Sequence, residues 1–103
     1  MTATEKLSVY FEPLSDPRSD RNQKHPFMSI ITISLLGAIS GITSYSGLGK
    51  YALAYEEELK KITPLPNGAP SHDTFQRLFE ALDIETFHLC FVMFTQHLKR
   101  VSS

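Results

Sequence analysis

The longest apolar stretch of the chain, His25 to Gly41, contains no aspartate, glutamate, lysine or arginine. Pro26 suits the first turn of a helix, where a missing N–H costs nothing, and Gly41 suits the position just past the last turn. Apolar side chains cover most of the helical circumference, and the remaining positions are all small. These small residues are Ser29, Thr32, Gly37 and Ser40. Because such a helix is usually buried among others, the pattern predicts a central helix.

The burial of this central helix can be predicted residue by residue. We expect Ile31, Leu35 and Ala38 to be nearly inaccessible and Gly37 to lie against another helix. A membrane span is the alternative, but a span needs about 20 predominantly apolar residues, and this run is shorter and interrupted by Ser, Thr and Gly. A secretory signal is disfavoured because a long polar segment precedes the run.

Four further segments place apolar side chains on one helical face: residues 4–14, 46–61, 71–82, and 83 towards the C-terminus. No stretch alternates with a period of two. The sequence therefore predicts an all-α domain, a compact bundle of about five helices in which the third and fourth form a helix-turn-helix-like pair. The predicted inward positions are Leu7, Tyr10, Phe11 and Leu14; Leu48, Tyr51, Ala52, Tyr55, Leu59 and Ile62; Phe75, Leu78, Phe79 and Leu82; and Phe87, Cys90, Phe91, Phe94, Leu98 and Val101.

Polar residues mark the ends of these helices. Thr4 is a candidate N-cap of the first helix, and Asp83 is a candidate N-cap of the last. The Ser71 hydroxyl is expected to accept a hydrogen bond from the N–H of Thr74. Residues 15–24 and 63–70 lack helical periodicity and contain turn-forming residues, so both are predicted loops.

Length and composition narrow the range of functions. A chain of 103 residues makes one domain, residues 1–103. Its net charge of −1 removes the simplest argument for nucleic-acid binding, a strongly basic chain. With Cys90 as its one cysteine, the chain cannot form an internal disulfide, and we expect a cytoplasmic protein with no membrane partner.

No catalytic centre is predicted. The acidic residues fall in loops, caps and helix exteriors, whereas a metal-dependent nuclease needs carboxylates that converge on a cation. His88 and His97 are nine positions apart on one helix, which is the wrong spacing for a zinc pair. Cys90 lies on an apolar face and is better explained as a core residue. We therefore expect no metal, no cofactor and no cleavage or joining of DNA by this chain.

The strongest functional candidate is the helix that begins at Ser71. Its inner face is Phe and Leu, and its outer face and first turn carry hydroxyls and polar groups that suit phosphates and base edges in DNA. The alternative is an ordinary amphipathic surface helix, which the local excess of acids over one base favours. The candidate DNA-binding residues are Ser71, His72, Thr74, Gln76 and Arg77.

A second polar cluster lies in the loop that precedes the central helix. Arg18, Arg21 and Lys24, with His25 beside them, offer cations for phosphate. The alternative is a solvated loop whose turn is held by an Asp–Arg pair.

The chain resembles the N-terminal domain of bacterial insertion-sequence transposases of the DDE type, the group that includes H-repeat-associated proteins. The likeness covers about residues 7–98. Its matching features, in order, are Asp16-Pro17-Arg18, His25-Pro26, the run LGAISG at residues 36–41, the segment NGAPSHDTFQRLF at residues 67–79, and then Phe87 and Phe91.

This resemblance implies a non-catalytic accessory domain, since the family's catalytic carboxylates lie in a following domain that this sequence lacks. Its implied partners are the DNA of the transposon ends and the catalytic domain of the same transposase, with a homo-oligomer as a further option. The competing function is a protein–protein docking or dimerisation module that does not touch DNA.

Overall fold

The computed structural model describes residues 3–18 and 24–102, and within them the chain is helical with no strand. The all-α prediction is therefore confirmed for the described part of the chain. None of its helices is both long enough and apolar enough to cross a membrane. The helices are α1 (Ala3–Tyr10), α2 (Phe27–Ile39), α3 (Tyr45–Ala54), α4 (Glu56–Lys60), α5 (His72–Ala81) and α6 (Ile84–Ser102).

The central helix α2 forms the core, as predicted. Every residue from Ser29 to Leu35 is buried, and Ile31 and Leu35 are 0% and 2% exposed. Gly37 lies against α3, because a Cβ built on it would stand 2.5 Å from Cδ2 of Leu48. The prediction for Ala38 is wrong. The last turn of α2 is exposed on one side, so Ala38 lines an open groove instead of the core.

The buried polar side chains of α2 have hydrogen-bond partners. Ser29 Oγ donates to the carbonyl of Pro64 at 2.6 Å and accepts from Thr63 Oγ1 at 2.9 Å. Ser34 and Thr32 donate back to carbonyls of their own helix. Because a buried hydroxyl without a partner is costly, these bonds explain why small polar residues fit this face. They also fix the proline-rich loop that leads to α5.

The predicted third helix is two helices. A break at Tyr55, with φ −110° and ψ 23°, separates α3 from α4. The change of direction buries Leu59 and leaves Tyr55 51% exposed, so the predicted burial of Tyr55 is wrong. Instead, the Tyr55 ring packs beside that of Tyr51, with centroids 5.1 Å apart.

Two of the three predicted caps need correction. Thr4 lies inside α1, which begins at Ala3, so it cannot be the N-cap. Ser71 occupies the N-cap position of α5, but its side chain makes no capping bond. Asp83 does cap α6 by accepting from the N–H of Thr86 at 3.3 Å. The Thr86 hydroxyl adds a bond of 2.8 Å to the same carboxylate, and these bonds lower the pKa of Asp83.

The long helix α6 packs mainly against α1, where Tyr10 contacts Phe94 and His97 with ring centroids 5.9 and 5.2 Å apart. Of its predicted inward residues, Cys90 is buried, the three phenylalanines are half-buried, and Leu98 is 38% exposed, which corrects that prediction. The Val101 side chain lies outside the described residues.

The most extensive packing between two helices joins α3 and α5. These helices correspond to the predicted helix-turn-helix-like pair. Their connection, residues 55–71, contains α4 and a proline-rich loop, and is therefore much longer than the short turn of a standard helix-turn-helix.

Candidate functional site

The helix α5 separates its polar and apolar residues cleanly. Phe75 and Leu78 are 0% and 1% exposed and hold the helix on the core. Gln76 and Arg77 lie on its exposed side, and Thr74 is half-buried. The apolar spacing that predicted this helix therefore also predicted which of its side chains a ligand can reach.

The predicted contact residues of α5 differ in their local partners. Gln76 Nε2 donates to Glu80 Oε1 at 2.9 Å, so this amide is engaged within its own helix. His72 Nε2 lies 3.0 Å from Asp73 Oδ1. Arg77 pairs with neither Asp73 nor Glu80, although both stand at favourable helical spacing. Of these side chains, the guanidinium of Arg77 is therefore the best placed to meet a ligand.

The structure brings the two predicted polar clusters into one cleft. Arg18 and Lys24, from the loop before α2, line it together with Ser71, Thr74 and Arg77 of the α5 region. The cleft has a volume of about 640 Å³. Arg21, predicted with the first cluster, lies outside the described residues. His72 and Gln76 do not line this cleft.

Arg18 holds the loop in place. Its Nε and Nη2 donate to the Asp16 carboxylate at distances of 2.9 to 3.3 Å, and its Nη1 donates to the carbonyl of His25 at 2.6 Å. Burial would raise the pKa of Asp16, but the hydrogen bonds and charge of Arg18 lower it overall. Arg18 therefore stabilises the conformation of this turn. This is the role predicted from the sequence as the alternative to phosphate contact.

His25 forms a buried part of the cleft. It is 6% exposed, and its Nδ1 has no hydrogen-bond partner among the described residues. Burial lowers the pKa of His25, and the charges of Lys24 and Arg18 lower it further. The imidazole is therefore neutral at pH 7, and the permanent cations among the described residues that line the cleft are Arg18, Lys24 and Arg77.

Sequence reasoning missed two residues on the other side of the α5 N-terminus. Gly49 and Lys50 of α3 line a second cleft, of about 340 Å³, together with Ser71 and His72. A Cβ on Gly49 would stand 2.9 Å from the backbone nitrogen of His72, so only glycine allows this approach. A glycine inside a helical pattern is the signal that could have found it.

The described residues contain no grouping of three or more His, Cys, Asp or Glu side chains that could hold a metal ion. Cys90 is buried, and burial raises the pKa of its thiol, which disfavours the nucleophilic thiolate. What the site offers chemically is hydroxyls, cations and backbone N–H groups around one helix end. Groups of this kind at a helix N-terminus bind anions.

The chain is similar to one known protein family and to one curated protein. The family described as DDE_Tnp_1-associated matches residues 8–95, which confirms the resemblance. A protein of Xanthobacter autotrophicus, called an uncharacterized protein in the dhlA 3′ region, is 34% identical over 91 residues. That match covers 87% of this chain and 31% of the relative, so the chain spans about a third of the length of the curated relative it matches. No solved structure matches.

Proposed function

The chain belongs to the DDE_Tnp_1-associated family, and we propose that it is the N-terminal accessory domain of a DDE-type transposase that contacts DNA at the element ends. The observation that carries the DNA contact is the cleft in which Lys24 and Arg77 flank the start of α5. The domain itself performs no chemistry, and strand cleavage belongs to the catalytic domain of the transposase.

The charge distribution supports this proposal better than the net charge does. Asp16 neutralises Arg18 within the loop, and among the described residues Asp73 is the carboxylate that lines the cleft. Lys24 and Arg77 then face the single carboxylate of Asp73, so the described lining keeps a small excess of positive charge on a chain whose net charge is −1. Two cations can neutralise about two phosphates, so the logarithm of the DNA affinity should fall with the logarithm of the salt concentration with a slope of about −2. This slope is smaller than that of a strongly basic domain and still clearly larger than that of an apolar interface.

Each residue of the cleft has a proposed role. Ser71 and Thr74 donate hydroxyl hydrogen bonds to phosphate at the start of α5, where the helix dipole favours an anion. Arg77 reaches a base edge, for which a bidentate contact to guanine is the commonest arrangement. Gln76 uses one of its two Nε2 hydrogens in the bond to Glu80, so its other N–H and its Oε1 can still contact DNA.

The test is Arg77→Ala, measured by binding titrations on element-end and scrambled duplexes at two salt concentrations. We expect a loss of about 1–3 kcal/mol in affinity for the element end, which is the usual value of one bidentate base contact. Thermal stability should stay nearly unchanged, because Arg77 is exposed and pairs with no carboxylate of its own helix.

Arg100→Ala is the matched control, since Arg100 is an exposed arginine on the last turn of α6, away from the cleft. It should bind DNA as the parent does. If Arg77→Ala binds both duplexes like the parent, or the parent binds neither at low salt, α5 is a scaffold and the DNA contact is wrong.

A second candidate function is docking onto another protein surface without DNA contact. It is favoured by an apolar groove beside α2 that lies apart from the cleft. Salt separates the two functions, because phosphate contacts weaken as salt rises and an apolar interface is largely indifferent to it.

A further inference from the structure

The groove beside α2 is lined by uncharged residues from four helices and the loop after α2. Its volume is about 540 Å³, within the range of ligand-binding sites. Residues 34–48 supply one side, and aromatic side chains of α5 and α6 supply the other. The aromatic residues that line it are Tyr45, Phe79, Phe87 and Phe91.

The groove exists because α6 packs closely against α1 and only loosely against the other helices. This helix packs mainly against α1, and its contacts with α2, α3 and α5 are sparse. Phe87 and Phe91 are therefore half-buried, although they lie on the apolar side of α6. Their rings stack with centroids 6.4 Å apart, and Phe87 meets Phe79 edge to face at 5.4 Å.

We propose that this groove binds an apolar segment of the catalytic domain of the same transposase. The absence of charged side chains from its lining makes it unsuited to DNA, whose phosphates need cations. The curated relative is about three times as long as the matched segment, so in that protein the domain is joined to further polypeptide. We take the transposase domain as the partner because the family is associated with DDE transposases.

The mode of binding follows from the shape and chemistry of the groove. An apolar channel beside a helix suits an amphipathic helix that inserts one row of side chains. The row would cover Phe87 and Phe91 and complete the packing of α6. This inference rests on the transposase association and is independent of the DNA contact, since the cleft and the groove share no lining residue.

The test uses the full 103-residue chain and, as the probe, the part of the Xanthobacter relative outside the 91 matched residues. The probe is first shown to be folded by circular dichroism. Calorimetry and sedimentation should then give a one-to-one complex whose Kd changes by less than about threefold between 0.1 and 0.5 M salt, because an apolar contact is little screened.

Ala38→Glu is the decisive variant, because Ala38 is exposed and lines the groove, so the new carboxylate enters the groove without disturbing the core. It should weaken the complex at least about tenfold, since an unpaired charge at an apolar interface is not compensated. Ala54→Glu places the same charge on an exposed alanine at the end of α3, outside the groove, and should bind like the parent.

Tyr45→Ala is a second variant, which removes one of the aromatic side chains that line the groove. It should also weaken binding, and circular dichroism should show that its fold is unchanged. Failure of the parent to bind the probe would overturn the proposal, as would equal binding by the parent and both groove variants. Self-association of the parent that Ala38→Glu abolishes would instead assign the groove to a second copy of this chain. None of these results depends on the DNA titration of Arg77→Ala.

Discussion

Helix α3 packs against α2 and against α5 through a glycine at each contact, and the two contacts differ in which atoms lie against the glycine. At the first, Leu48 reaches Gly37 of α2 with the tip of its side chain. At the second, Gly49 meets the backbone nitrogen of His72, at the start of α5. Since consecutive helical residues point about 100° apart, Leu48 and Gly49 serve two different helices.

The two glycine contacts affect different properties of the protein: the contact at Gly37 affects stability, and the contact at Gly49 also affects the candidate functional site. The Gly37 contact closes the core between α2 and α3, and its position affects no residue of the cleft. The Gly49 contact sets how closely the first turn of α5 approaches α3, and that turn carries Ser71 and His72. Changes at Gly37 should therefore act on folding and on the groove that Leu48 lines, whereas changes at Gly49 should also act on DNA binding.

The largest expected effect is that of Gly37→Leu. Leucine would force four carbons into a space where even a Cβ stands 2.5 Å from Leu48, and overpacking of this kind costs about 1–3 kcal/mol. Thermal unfolding followed by circular dichroism measures it as a fall of about 4–8 °C for each kcal/mol. Ala38→Leu adds the same side chain at the next, exposed position and should melt near the parent. A Gly37→Leu protein that melts like the parent would show that the core is described wrongly.

A smaller effect on stability is expected from Gly49→Ala and Gly37→Ala. This pair of variants compares the two glycine contacts of α3 directly. Alanine gains about 1 kcal/mol over glycine in a helix interior. At Gly37 the clashing atom is the end of a side chain that can rotate, so this variant should be near neutral. At Gly49 the clashing atom is the backbone nitrogen of His72, which cannot rotate away. The clash costs about 1–3 kcal/mol and outweighs the gain in helix propensity, so Gly49→Ala should lose up to about 2 kcal/mol of stability.

Only Gly49→Ala should also lower DNA affinity, since it displaces the first turn of α5. The measurements are chemical unfolding and the same duplex titration as for Arg77→Ala. Equal stability and equal DNA binding of the two alanine variants would remove the distinction between the contacts.

Much of the fold followed from the sequence because its helices are strongly patterned. The apolar run of α2 and the spacing of Phe75 and Leu78 in α5 each predicted both a helix and its buried side. The break at Tyr55 was not predictable, because residues 46–61 keep helical spacing without a glycine or proline at the break. The exposure of Ala38 was also hidden, since it depends on where the neighbouring helices end.

The candidate site was predictable in its parts and not in its assembly. Ser71, Thr74 and Arg77 were found from the polar face of one helix, and Lys24 from a separate loop. Nothing in the spacing of these segments indicates that they line one cleft, because that depends on how the loop before α2 folds beside α5. Lys50 was missed for the same reason, since it reaches the start of α5 only through the close contact of Gly49.

The smallest expected effect on stability comes from His25, a titratable residue that lines the cleft. Burial and the nearby charges of Lys24 and Arg18 lower its pKa in the folded protein, so folding disfavours its protonated form. The stability that depends on neutral His25 is therefore complete above the unfolded pKa of about 6.5, and is lost as the pH falls through the folded value.

Unfolding measured by denaturant at several values between pH 7 and pH 5 should show this loss, in a range above the titration of most carboxylates. His25→Gln keeps a polar side chain and removes the proton site, so its stability should depend less on pH in that range. His88→Gln, at an exposed position of α6, should keep the slope of the parent. Parallel slopes for the parent and His25→Gln would show that the buried imidazole does not titrate against folding. The conclusion that folding disfavours protonated His25 would then need revision, while the core contact at Gly37 would stand.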